Sequence, residues 1–213
     1  MNENFKESLQ FQTFGCKVNT YDTGLLQQRL DGKNYSRPVQ VLNTCAVTGE
    51  ATSEAIRTLR RIKRESPETL VVVTGCSAQV DTERFQDLAE VDLIVANSHK
   101  GMIGELIEKT IQGKLNEKVF KSNIFKKEDL ELGGGLEDTH SRSFLKIQDG
   151  CNSFCSYCVI PFARGKSRSV PKEVIAERVS ELGAQGIQEV VLTGIHIGDY
   201  DFGLEDLVEY LLL

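Results

Sequence analysis

The chain has 213 residues, of which 40% are hydrophobic and 26% charged, a balance that suits one or two globular, water-soluble domains. Its formal net charge of −6 gives no support to nucleic-acid binding by the chain as a whole, so such a role would rest on local patches. No apolar run approaches the ~18 residues needed to cross a membrane, and the polar, acidic start Met1-Asn2-Glu3-Asn4-Phe5-Lys6-Glu7 is not a secretory leader. Six cysteines without a leader point to a cytoplasmic protein whose thiols bind metal, not to disulfides.

In chain order, strands and helices alternate. Leu9 to Phe14 reads as a strand that ends at Gly15-Cys16, and Asn19 or Thr20 is the expected cap of a helix carrying Leu25, Leu26 and Leu30. Val39 to Leu42 is the second strand, ending at Asn43-Thr44-Cys45. A long helix over Ala51–Glu65 follows, with Ile56, Leu59 and Ile62 at helical spacing and Pro67 as its stop. Leu70 to Val73 is a continuous apolar run, as a buried parallel strand should be, and it leads to Thr74-Gly75-Cys76. A fourth strand is expected over Asp92–Ala96, then a helix from Ser98 with Met102, Ile103, Leu106 and Ile107. Residues 1–113 thus form one expected unit, an α/β doubly wound parallel sheet.

Residues 114–140 mix Lys and Glu, carry Gly133-Gly134-Gly135 and lack sustained periodicity, so they read as a linker. A second unit, 141–213, opens with the strand Phe144–Ile147. It continues with a helix over Pro171–Gly183, a strand Glu189–Leu192 ending at Thr193-Gly194, and a last helix over Leu204–Leu213. Two βα units cannot close a barrel, which takes ~250 residues when built of eight.

The cysteines fall into two sets. Cys16, Cys45 and Cys76 lie about 30 residues apart, one βα unit each, and each follows a strand directly. Parallel strands bring their carboxyl ends to one edge, so these three would converge in space. The bland alternative is three separate core thiols. Cys151, Cys155 and Cys158 lie within eight residues, in the spacing CxxxCxxC just after a strand. Three thiolates on one tight loop can hold a [4Fe–4S] cluster and leave its fourth iron open. A zinc loop or buried thiols is the alternative, although four-cysteine zinc sites usually come as two CxxC pairs and here only Cys155 to Cys158 makes one.

Five stretches carry a resemblance: TFGCKVNTYDT, LNTCAVTGEAT, VVVTGCSAQ, LKIQDGCNSFCSYCVIPFARG and EVVLTGIHIGDY. In this order they resemble the methylthiotransferase family of radical S-adenosylmethionine enzymes, from Phe11 to about Tyr200. The resemblance implies that 141–213 begins a partial TIM-type barrel. It implies two [4Fe–4S] clusters: an auxiliary one on Cys16, Cys45 and Cys76, and a radical-generating one on Cys151, Cys155 and Cys158. Family members use S-adenosylmethionine at the open iron to generate a 5′-deoxyadenosyl radical. They add a methylthio group to carbon 2 of a modified adenosine beside the tRNA anticodon; one branch instead modifies an aspartate of a ribosomal protein. The partners implied are tRNA and an electron donor such as flavodoxin or ferredoxin. Cys16-Lys17-Val18-Asn19 resembles the branch acting on N6-threonylcarbamoyladenosine, whereas the isopentenyladenosine branch more often reads CQMN.

The sequence departs from the family in three places. Asp31–Gln40 is short, Val170 stands where an Arg is common, and the later barrel strands and an RNA-binding module are absent, so the chain by itself is expected to be inactive. Thr193 and Gly194 are candidate cofactor contacts, or simply a turn. Arg164, Lys166 and Arg168, just past the cysteine loop, are candidate phosphate contacts to RNA. His196 is a lone loop histidine, more often solvated than catalytic. Arg57, Arg60, Arg61, Lys63 and Arg64 crowd one helix and read as a solvated face ahead of a tRNA patch. Two further classes stay open: a non-catalytic two-cluster carrier of electrons or sulfur, and a zinc-binding structural module.

Overall fold

In the computed structural model, which describes residues 8–130 and 142–212, the apolar runs of the first half pair as parallel neighbours. β1 (Leu9–Thr13) feeds α1 (Lys17–Leu30), β2 (Val39–Thr44) feeds α2 (Gly49–Glu65), and β3 (Leu70–Gly75) feeds the short α3 (Cys76–Val80) and α4 (Glu83–Gln86). β4 (Leu93–Ala96) leads through a 3₁₀ turn into α5 (Ile103–Ile111) and then β5 (Val119–Phe120). The five strands lie across the sheet in chain order, all parallel, with Leu9 opposite Val39 and Val39 opposite Leu70. β5 lies within the stretch expected to be a linker; the Gly133-Gly134-Gly135 run lies outside the described residues.

Side-chain alternation along the strands builds a core on each face. Val39, Val41, Leu70, Val72, Leu93 and Val95 meet Leu26 and Leu30 of α1 and Ile103, Leu106 and Ile107 of α5. Leu42, Val71, Val73 and Ile94 meet Ala55 and Leu59 of α2 and Phe85 of α4. Helices therefore cover both faces, and every residue of β2 and β3 is buried. That is why these strands read as unbroken apolar runs instead of alternating ones. α2 is capped by Thr48, whose hydroxyl accepts from the Ala51 amide at 3.3 Å. On its basic face Lys63 pairs with Asp92 at 2.7 Å and Arg60 with Glu90 at 3.6 Å, while Arg57 and Arg61 share a surface groove with Glu50 and Glu54.

The second half starts at β6 (Arg142–Lys146) and β7 (Gln148–Asp149), continues through the cysteine loop into α6 (Ile160–Arg164), and passes β8 (Arg168–Ser169), α7 (Lys172–Ala184), β9 (Glu189–Thr193) and α8 (Leu204–Leu212). β6 pairs with β9 in parallel, the expected first step of a βα array, and β7 pairs with β8 antiparallel. Its core gathers Leu145, Ile147, Val170, Ile175, Tyr200 and Leu207, and it also takes Tyr21 from α1. Val170, the position where the family often has Arg, is 2% exposed and accepts from the Tyr200 hydroxyl at 2.5 Å through its carbonyl. On α8, Leu207 is buried while Val208, Tyr210 and Leu212 are exposed. No helix among the described residues is long and apolar enough to cross a membrane.

One local expectation is corrected. α1 begins at Lys17 with Cys16 at its N-cap position, so neither Asn19 nor Thr20 is the cap. Asn19 instead lies one turn inside the helix and turns its amide toward the strand ends, donating to the carbonyls of Phe14 at 2.8 Å and Thr44 at 3.0 Å. Two backbone acceptors left over at the sheet edge compete successfully for the side chain that a cap would use.

Candidate functional site

The first three strands of the first sheet each lead into a cysteine. Cys16 follows β1 and stands at the N-cap of α1, Cys45 follows β2, and Cys76 is the first residue of α3 after β3. The parallel register, with Thr13 opposite Asn43 and Thr44 opposite Gly75, puts these three turns side by side. Gly15 has φ +97°, and a methyl group there would lie 2.6 Å from Cys45 Sγ, so the Cys16 turn closes directly over the Cys45 thiol. Gly75, at φ +96°, lets the β3 turn pack equally tightly against Thr44. Cys45 and Cys76 are buried and Cys16 is exposed. Burial pushes the Cys45 thiol pKa up, the Val47 amide pulls it back, and the neighbouring Cys76 and Cys16 add to the rise.

The second set sits where β7 ends. Gly150, at φ +77°, packs against the Lys166 carbonyl, and the Cys151 amide donates to the Gly165 carbonyl at 3.1 Å. The loop then turns on itself, with the Cys158 amide bonded to the Cys155 carbonyl at 2.9 Å. Phe154 takes φ +45°, an uncommon conformation for a bulky residue. Its ring stacks on Phe125 at 5.8 Å, and both meet Phe162 edge-on. This aromatic wedge supports the strained turn. Cys155 is exposed, Cys151 and Cys158 are half-buried, and Tyr157 is 90% exposed.

Among the described residues all six cysteines are unpaired, and no three Cys, His, Asp or Glu side chains converge tightly enough to hold a single ion. A tetrahedral zinc requires its thiolates about 2.3 Å from one point. In a four-iron cluster each thiolate meets a different iron, so the sulfurs stand further apart. The all-thiolate donor set of each triplet suits an iron–sulfur cluster.

Between the two sets lies a buried charge network that the sequence reading missed. Asp22 of α1 accepts from Lys146 at 2.6 Å, Arg164 at 3.0 Å and Lys100 at 3.4 Å. Asp149 accepts from Lys146 at 3.0 Å and from Arg164 at 3.0 Å and 3.2 Å. All five side chains are at most about one-tenth exposed. Burial alone would raise the Asp22 pKa; Lys146, Lys100 and Arg164 hold it well below the usual carboxylate range. Asp149 is depressed in the same way, against burial, by Arg164 and Lys146. Burial also works against the charge of Arg164, but Asp149, Cys76, Asp22 and Cys16 together keep it raised.

This changes the reading of the basic segment. Arg164 is 3% exposed and its two terminal nitrogens are engaged by Asp149, Asn19 and Asp22, so it is not available to RNA phosphates. Arg168 spends its guanidinium on the carbonyls of Lys127, Asp129 and Arg164. Lys166 is exposed. Thr193 is buried, and its carbonyl accepts from the Ile147 amide at 2.9 Å. Gly194 has no room for a side chain, since a methyl group would lie 2.8 Å from Ile197 and 3.0 Å from the Gln148 carbonyl. His196 is half exposed and pairs with Asp199 at 2.7 Å. Gln148, overlooked in the sequence, is fully buried and joins this edge to the cysteine loop. Its side-chain Oε1 accepts from the backbone amides of Ile195 at 3.0 Å and His196 at 2.9 Å, while its Nε2 donates to the Gly150 carbonyl at 2.7 Å. A Gln beside CxxxCxxC carries no signal by itself; only the β6–β9 pairing discloses its role.

Comparison with known proteins follows this division. Residues 8–96 match Uncharacterized protein family UPF0004, and residues 145–213 match the Radical SAM superfamily. The threonylcarbamoyladenosine tRNA methylthiotransferase MtaB of Aquifex aeolicus (strain VF5) is 39% identical over 198 residues, covering 89% of this chain and 48% of that protein. The protein of the same name from Bacillus subtilis (strain 168) is 35% identical, over 95% of this chain and 46% of its own length. A tRNA-2-methylthio-N(6)-dimethylallyladenosine synthase of Staphylococcus epidermidis is 30% identical, over 93% and 42%. The chain spans about half the length of the relatives it matches. In fold it is similar to the radical S-adenosylmethionine methyltransferase TsrM of Kitasatospora setae, with a TM-score of 0.62 at 14% identity over 96% of this chain and 52% of that one. Both segments are matched in the same order as the two cysteine sets, and over most of its length the chain is similar to threonylcarbamoyladenosine tRNA methylthiotransferases.

Proposed function

We propose that this chain is the two-cluster part of a tRNA methylthiotransferase that adds a methylthio group to carbon 2 of N6-threonylcarbamoyladenosine beside the anticodon. The observation that carries the reading is the pair of separate cysteine triplets meeting across one buried charge network, in a chain 39% identical to a threonylcarbamoyladenosine tRNA methylthiotransferase. Cys151, Cys155 and Cys158 hold one [4Fe–4S] cluster, and Cys16, Cys45 and Cys76 hold a second. When bound and reduced, the first cluster supplies an electron to S-adenosylmethionine and so opens radical chemistry at an unactivated ring carbon. Thr193 and Gly194, at the end of β9, border the cofactor, and Gln148 holds that edge against the cysteine loop. The buried Cys45 and Cys76 keep water from the second cluster, which serves sulfur transfer. Lys166 lies on the surface past the loop and is the basic residue left free for a tRNA phosphate. The reaction belongs to the cytoplasm, with flavodoxin or ferredoxin as the electron donor.

Product analysis tests the reading. Reconstituted protein is given reductant, S-adenosylmethionine and tRNA bearing either threonylcarbamoyladenosine or isopentenyladenosine, and the digested nucleosides are weighed by mass spectrometry. Methylthio product is expected on the first tRNA when the chain is joined to the portion of the Aquifex aeolicus relative that it does not span, and not from the chain by itself. Product on the second tRNA alone overturns the branch. Cys45→Ala is expected to spare cofactor cleavage and end sulfur insertion; unchanged methylthio product from it would make Cys45 a core residue.

A further inference from the structure

The two triplets are supplied by different halves of the chain, and two buried side chains bridge them. Asn19 is fully buried. Its amide nitrogen holds the Phe14 carbonyl, two residues before Cys16, and the Thr44 carbonyl, directly before Cys45. Its amide oxygen lies 3.9 Å from Cys76 Sγ and accepts from Arg164 at 2.6 Å. One side chain thus touches the supports of all three cysteines at the sheet edge. Arg164 continues the line. Its other terminal nitrogen donates to both oxygens of Asp149, Asp149 accepts from the Gly150 amide at 2.9 Å, and the neighbouring Gly165 carbonyl receives the Cys151 amide. Asn97 adds a parallel tie, donating toward Cys76 Sγ at 3.8 Å and to the Ala163 carbonyl of α6 at 3.0 Å.

We propose that Asn19 and Arg164 are positioning residues that hold the Cys16, Cys45 and Cys76 edge and the Cys151 loop at one fixed separation. The inference rests on reading both triplets as cluster ligands, and it explains residue choices that the ligand sets leave unexplained. Only a planar fork can serve Asp149 on one nitrogen and Asn19 with Asp22 on the other; a lysine is a point charge. Only an amide offers donors to two carbonyls and an acceptor to Arg164 from one side chain. A reaction that passes a sulfur group between two centres needs its geometry held to within about 1 Å, since a misplacement of that size can cost about a hundredfold in rate.

The test compares wild type, Arg164→Lys, Asn19→Asp and a surface control, Lys114→Ala, after anaerobic reconstitution of the full chain. Iron content and far-UV circular dichroism report loading and fold; dipolar coupling between the two reduced clusters, read by electron paramagnetic resonance, reports their separation. Arg164→Lys is expected to keep about 8 irons and lose the wild-type splitting, with the control unchanged. Should Arg164→Lys fail to fold, Asn19→Asp, which preserves volume and the Arg164 contact, carries the same expectation. Wild-type splitting in a loaded Arg164→Lys or Asn19→Asp protein overturns the proposal. A wild-type chain with only about 4 irons overturns the two-cluster reading instead. The bridge is then judged in metal-free protein, where the buried Cys76 thiol should react about tenfold faster with Ellman's reagent in Arg164→Lys, and an equal rate would overturn it.

Discussion

Two triplets of the same side chain stand in opposite settings. At the sheet edge Cys45 and Cys76 are 3% and 2% exposed, and glycines at positive φ let the turns close around them. In the loop Cys155 is exposed, Tyr157 beside it is almost bare, and Phe154 is held in an uncommon conformation by an aromatic wedge. The difference follows from how each set is built. The cysteines of the three βα turns are placed by the hydrogen-bonded register of a buried sheet, and Cys45 and Cys76 inherit its burial while Cys16 stays exposed. Ligands drawn from one eight-residue loop are placed by the loop alone and remain accessible to what binds above them. The proposed coupling of sulfur transfer to radical generation calls for both: a protected centre and an open one.

Removing one set should have the largest effect. Cys151, Cys155 and Cys158 replaced together by Ala are expected to lower the iron of the reconstituted chain from about 8 to about 4, measured with sulfide by colorimetric analysis. The matching triple replacement of Cys16, Cys45 and Cys76 should remove the other half. Full iron retention in either protein would show that the comparison was drawn between the wrong residues.

The junction between the two regions should be nearly as sensitive. Asp22→Asn takes a carboxylate from Lys100, Lys146 and Arg164, of which Lys146 and Arg164 keep Asp149, and breaking such a network costs about 3–5 kcal/mol, read as a lower urea midpoint. The same network sets the acid limit. Asp22 and Asp149 have folded pKa values below the unfolded value of about 3.9, so their contribution is whole above that pH and is lost as pH falls through the folded values. The urea midpoint should hold from about pH 7 to 5 and drop below about pH 4, with a shallower drop in Asp22→Asn. Lys146 acts in the other direction: its pKa is raised, so its contribution is whole below about pH 10.4 and lost only above that.

Smaller effects separate the regions more finely. Gly15→Ala forces a side chain into φ +97° against the Cys45 thiol and is expected to cost about 1–3 kcal/mol, measured by the same urea titration. Lys166→Ala, on the exposed side of the cysteine loop, should leave stability within about 0.5 kcal/mol. It should weaken tRNA binding and reduce the salt dependence of that binding by about one unit of slope.

Much of this was legible in the chain. The β2 and β3 runs are apolar throughout because both faces of the sheet are covered, and that pattern survives without any knowledge of the partners. The period of about 30 residues between Cys16, Cys45 and Cys76 follows from one cysteine per βα unit. α1 was only half legible. Leu25, Leu26 and Leu30 mark its face toward the sheet, but Tyr21 and Asp22 bury against residues from β6 onward, and Asp22 meets Lys146 across 124 positions. β7 and β8 are two residues each, too short to leave a periodicity.

Sequence alone determined which residues are ligand candidates, because thiolate sets and strand ends obey local spacing. It also showed where the longer strands lie, because burial on both faces writes itself into composition. Only the tertiary structure decided that Arg164 is a buried strut and not a phosphate contact, that Asn19 serves three cysteine turns, and that Gln148 ties the loop to β9. A polar side chain's role depends on which partners remove it from water. For these residues the partners come from segments that only the folded chain brings together.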